Sequence, residues 1–137
     1  MKNLVLERIV SLFLYVMVGF AIFLLIRGHN RPGGGFIAGI IAAAGFLLYG
    51  IVFGSDAVLK KLHTNPRYII GTGLLLAFLA AIIPTFSGNP PLTGLWLSMG
   101  NIHIGTPLLF DTGVFVLVTG MIVSIITNIM DVLKWNS

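Results

Sequence analysis

Nine residues between two long apolar runs, Arg27, Gly28, His29, Asn30, Arg31, Pro32, Gly33, Gly34 and Gly35, hold much of the chemistry this chain can offer. Three adjacent glycines expose backbone N–H groups and can in principle cradle a phosphate. The G-K-[ST] ending of a P-loop does not follow them, however, and no strand precedes them, so the pattern does not read as nucleotide binding. His29, His103 and Asp111 bring metal-ligand chemistry to one side of the chain, but no helical spacing relates them, so no metal site or cofactor is assigned. Asp111, about one turn inside the outer end of the fourth apolar run, is the one candidate for a buried ion site. Gly28 is positioned to end a helix in the left-handed conformation, Asn30 tolerates the same region, and Pro32 stops a helix from continuing. Arg27 and Arg31 can then hydrogen-bond carbonyls, carboxylates or lipid phosphates.

The elements that must position these residues follow from composition. The chain has 137 residues, of which 57% are hydrophobic and 9% charged, and a mean hydropathy of +1.04. Twelve charged residues cannot cover a water-soluble domain of this size, so lipid must do so. Four stretches, 9–26, 36–53, 68–83 and 108–130, approach the roughly 20 helical residues needed to cross a hydrocarbon layer about 30 Å thick. They are continuous rather than alternating, which excludes a β-barrel. The first is no cleaved signal: Glu7 and Arg8 precede it, its apolar run outlasts an h-region, and no A-x-A site follows. The expected architecture is therefore an all-α integral membrane protein, residues 1–137 forming a single domain of four transmembrane helices. With no cysteine there are no disulfides and no thiolate chemistry, and the net charge of +4 requires no nucleic acid. No residues are assigned to catalysis, and no enzyme activity is expected.

Lys2, Arg8, Lys60, Lys61, Arg67 and Lys134 fall on one side of this layout, with only Arg27 and Arg31 opposite. The positive-inside rule then puts both termini in the cytoplasm and the 27–35 turn outside. The third loop, Pro84 to Pro107, reads as an interfacial loop turning at Gly88, Pro90 and Pro91, with Trp96 in the headgroup zone. Gly35, Gly39 and Ala43, and then Gly73, Ala77 and Ala81, form small-residue faces that fit either internal packing or contact with another subunit. Asp111 should lie level with Arg27, His29 and Arg31. Its expected partner is Arg31 or Arg27, pinning the fourth span to the first turn.

The run from Gly28 to Ile40, GHNRPGGGFIAGI, resembles the signature of the B subunit of multisubunit Mrp/Mnh-type cation/proton antiporters. The run GTPLLFDTGVF, Gly105 to Phe115, is similar to that family's second shared segment. The resemblance covers essentially the whole chain. It implies an accessory, multi-pass subunit in a bacterial cell membrane, working with other antiporter subunits that exchange Na+ for H+. Such a subunit would serve assembly and offer polar loop groups to an outer part of the sodium path. Arg27 to Gly35 with Phe36, and Gly105, Thr106, Pro107 and Asp111, match the two motifs, but the resemblance assigns no role to any one of them. The alternative is a membrane subunit of a hydrogenase-type, redox-driven ion pump of shared ancestry.

Overall fold

A computed structural model describes residues 3–28 and 34–135, apart from the side chains of Met99, Ile102, His103 and Trp135. The described elements run α1 Leu4–Arg27, α2 Gly34–Phe53, α3 Ser55–Leu62, α4 Pro66–Phe86, β1 Trp96–Met99, β2 Ile102–Gly105 and α5 Thr106–Trp135. Helices α1, α2, α4 and α5 are the four long and apolar enough to span a membrane. Each of the four expected spans lies inside one of them, extended at both ends or at one.

Local sequence explains most boundaries. The Asn3 side chain accepts from the Leu6 backbone N–H and caps α1. Asn65 does the same for α4 through the N–H of Arg67, with Pro66 in the first helical position, where its missing donor costs nothing. Gly28 ends α1 with φ −85°, not in the left-handed conformation expected of it. The α1 terminus is instead closed by the Gly28 N–H donating to the Leu24 carbonyl. Pro84 does not begin a loop: α4 runs through it to Phe86, and the Pro84 side chain is buried. A proline this close to a helix end removes only one bond of the last turn, and the Pro84 carbonyl still accepts from Ser87 and Asn89.

The long spans form a row in which α1 packs on α2, α2 on α5, and α5 on α4. Burying leucine or phenylalanine gains little in lipid, so close approach through small residues decides which faces meet. The seams show it. Ala21, Leu25, Ala38 and Ala42 form the α1–α2 core, with Phe115 of α5 against it. On the other side of α5, Gly73 and Gly113 pack backbone to backbone. A Cβ on Gly113 would stand 2.5 Å from the Ala77 nitrogen. Gly35, Gly39, Gly73 and Ala77 thus serve contacts within the chain.

Two elements lie outside the expected layout. Helix α3 is a short amphipathic piece packed on α2 and α5 at the end where α1 starts and α5 finishes. Its Val58 is fully buried while Lys60 faces out. At the opposite end, the third loop contains an antiparallel hairpin pairing Trp96 with Gly105 and Met99 with Ile102. Gly100, at φ +62°, supplies the left-handed residue that its two-residue turn requires.

Candidate functional site

The hairpin end of the row gathers the described residues of both motifs. Gly34, at the start of α2, lies against Gly28, where a Cβ on Gly34 would stand 3.0 Å from the Gly28 carbonyl oxygen. One residue on, Gly35 lies so close to Asp111 that a Cβ would overlap the Asp111 carbonyl oxygen. Gly35 therefore lets the start of α2 rest directly on the α5 backbone at Asp111. Only glycine permits that approach. Phe36, next in the motif, points outward and is half exposed.

The second motif acts at the same end. Thr106 opens α5 and ties the preceding loop down: its N–H donates to the Leu95 carbonyl at 2.9 Å, and its Oγ1 accepts from the Leu95 N–H at 3.0 Å. Gly105 leaves room for the cross-strand Trp96 ring, which a Cβ would meet at 2.7 Å. Pro107 occupies the first turn of α5, where its fixed φ suits the helix and no donor is lost. These residues shape the hairpin and set the angle at which it joins α5.

Asp111 sits one and a half turns into α5 and is only 8% exposed. It is the one buried acidic or basic side chain among the described residues; the other buried polar groups there are Ser55, Thr119 and Thr127. Asp111 also takes part in a polar or electrostatic interaction. Of the two arginines expected to pair with it, Arg27 lies over the Phe23 ring, 6.0 Å from its centroid. Arg31 lies outside the described residues, as do His29, Asn30, Pro32 and Gly33. Among the described residues no three His, Asp or Glu side chains come close enough to hold a metal.

Farther along α5 the two buried threonines bond carbonyls of their own helix. Thr119 Oγ1 donates to the Phe115 carbonyl at 2.7 Å and reaches the Gly39 carbonyl at 3.4 Å, linking α5 to α2. Thr127 Oγ1 donates to the Val123 carbonyl at 2.9 Å. Both hydroxyl protons are thus committed to helix carbonyls.

The α3 end carries a second group of contacts that sequence reasoning missed. Ser55 Oγ donates to the Asp131 carboxylate, and Lys134 lies 3.7 Å from the Asp56 carboxylate, so two successive α3 residues hold the last turns of α5. Lys61 stands over the rings of Tyr15 on α1 and Tyr49 on α2, 4.8 and 5.7 Å from their centroids. Hydrogen bonding to Tyr15 raises the Lys61 pKa against a smaller opposing effect of desolvation. The signal for α3 was present in SDAVLKKL, with an acid in the first turn and lysines in the last.

The fold and motifs can be set beside known proteins. Residues 5–124 match a family model described as a domain related to the MnhB subunit of Na+/H+ antiporter. A Staphylococcus saprophyticus protein bearing the name antiporter subunit mnhB2 is 33% identical over 133 residues, covering 93% of this chain and 94% of that protein. A Staphylococcus aureus protein of the same name is 35% identical over the same coverage. The solved Mrp complex from a Dietzia species contains a chain that superposes with a TM-score of 0.79 at 28% identity over 91% of this chain. The match spans only 14% of that much longer polypeptide. With matches over nearly its whole length, this four-span chain belongs to the family of MnhB-related subunits of Na+/H+ antiporters.

Proposed function

We propose that this chain acts within a Na+/H+ antiporter complex as an accessory subunit that builds and braces the membrane assembly, with the α3 end in the cytoplasm and the hairpin end outside. The carrying observation is that Asp111 is the one buried charged side chain among the described residues, and that it sits at the hairpin end, in the part of α5 on which Gly35 rests. A proton relay through the subunit would need titratable groups in succession across the membrane. The spans instead carry threonines bonded to their own helix. The orientation rests on the lysines and arginines concentrated at the α3 end. The long Dietzia polypeptide, in which this fold occupies about a seventh of the length, supports a chain that works packed against other antiporter components.

Antiport in membrane vesicles carrying the whole complex tests the reading. For Asp111→Asn and Arg31→Ala the expected result is a reduced amount of assembled complex, with residual antiport falling in proportion. Antiport lost from a fully assembled complex would place these residues on the cation route instead. Unchanged assembly and activity would remove both roles.

A further inference from the structure

At the α3 end, α4 starts well short of where α5 finishes. Ile69 and Ile70 of α4 pack at Gly120 of α5, and α5 continues to Trp135, roughly three turns beyond the level where α4 begins. The step is walled by the end of α3 and by the turn from His63 to Asn65. It forms a cleft of about 650 Å³. Lys60, His63, Asn65 and Arg67 line it, together with Asn128 and Asp131 of α5.

We propose that this cleft holds the headgroup of an anionic phospholipid, with its phosphate between Lys60 and Arg67. Charge is the first argument. Among the described residues, the side chains of Lys60, His63 and Arg67 form no ion pair and no hydrogen bond, and the one carboxylate in the cleft already accepts from Ser55. Two permanent cations and a histidine thus face one engaged acid. An arginine offers a phosphate two parallel N–H groups, and a lysine adds a compact charge. Arg67 stands in the first turn of the 21-residue α4, whose positive dipole end adds to its charge.

Depth is the second argument. Tyr68 follows Arg67 on the surface and is 73% exposed, and the outward leucines of α4 begin at Leu74 and Leu75. Tyrosine with apolar residues beyond it marks the level where headgroups meet acyl chains. A ligand in the cleft can therefore leave its tails along α4. Basic pockets between membrane helices bind anionic headgroups in this way. A choline headgroup would bring an ammonium toward Lys60 and Arg67, whereas a glycerol headgroup can hydrogen-bond Asn65 and Asn128. The assignment does not depend on transport function.

The test uses the full chain purified in a neutral detergent. Short-chain phosphatidylglycerol, short-chain phosphatidylcholine and inorganic phosphate are titrated separately, with thermal unfolding as the readout. At about fivefold per cation, phosphatidylglycerol should bind roughly 25-fold more tightly than phosphatidylcholine. The double variant Lys60→Gln with Arg67→Gln should abolish that preference. Lys134→Gln, at the same end but outside the cleft, should keep it. Circular dichroism establishes that each variant is folded, and if the double variant is not, the single Arg67→Gln should still lower the preference about fivefold. Equal response to both lipids, or a preference surviving the double variant, overturns the proposal. Inorganic phosphate reproducing the whole effect overturns it in favour of a free-anion site. No lipid preference in the chain, together with crosslinking of the cleft to a neighbouring subunit in the intact complex, overturns it in favour of a protein contact.

Discussion

At the scale of single residues, the described glycines Gly34, Gly35, Gly105 and Gly113 of the two motifs are points of close contact. Gly35 on Asp111, and Gly73 on Gly113 and Leu117, place backbone against backbone where a methyl group has no space. Gly35→Ala and Gly113→Ala must push whole helices apart, because the obstructing atoms belong to the main chain and cannot rotate away. Overpacking of this kind costs about 1–3 kcal/mol. Both substitutions should lower the melting temperature of the detergent-solubilised chain. Gly19→Ala and Gly71→Ala, whose added methyl meets nothing within 4 Å, should leave it unchanged or slightly raised. Equal losses at all four positions would show that these backbone contacts are not the source of the loss, since Gly→Ala by itself favours a helix. The small-residue periodicity was legible in the sequence; its partner was not. Spacing reveals that a helix has a close-packing face, but whether α5 or another subunit covers that face depends on the order of helices in the row.

At the scale of elements, the four spans were legible because an apolar run of about 20 residues has few alternatives in lipid. Their ends were less so. The third loop was drawn from Pro84, whereas α4 runs through it to Phe86, since a proline near the last turn removes little. The hairpin left a trace in Gly100 and Asn101 between two apolar-rich stretches, a pairing typical of two-residue turns, which the reading of 84–107 as one loop passed over. Helix α3 escaped because eight residues give periodicity little to work on. Yet α3 acts as a strap across the spans: Ser55 and Asp56 hold α5, and Lys61 reaches Tyr15 and Tyr49. Ser55→Ala combined with Lys61→Met should free it, seen as faster tryptic cleavage at Lys60 with the spans intact; unchanged cleavage would mean that Val58 burial and the Asp56–Lys134 pair hold α3 without them. The pH response has a definite sign. Since contact with Tyr15 raises the Lys61 pKa, the contribution is complete below the ordinary lysine value of about 10.4 and is lost as pH climbs through the raised value. A nitroxide at Thr64→Cys should therefore keep constant mobility from about pH 7 to about pH 10 and loosen only above that. Loosening near neutrality would exclude Lys61 as the controlling group.

For the whole molecule, the two ends do different work. One carries the motif glycines, the hairpin and Asp111; the other carries the strap and most of the basic residues, and residues on the outward faces of the edge helices, such as Phe23 on α1 and Phe78 on α4, stay exposed for lipid or neighbouring subunits. The proposed orientation rests on this charge asymmetry, since cations near the ends of membrane helices are usually retained on the cytoplasmic side. The chain offers a clean test, because it contains no cysteine. Single cysteines at Ser98, exposed in the hairpin, and at Thr64, exposed in the turn before α4, report opposite faces of the membrane. A membrane-impermeant thiol reagent applied to intact cells should label Ser98→Cys, and should label Thr64→Cys only after the membrane is opened. The reverse pattern would turn the subunit over. It would then put the Asp111 end on the cytoplasmic side, where a buried carboxylate would face the ion supply of the cell rather than the medium. The bracing role drawn from its packing would survive that result; any role in an outer sodium path would not.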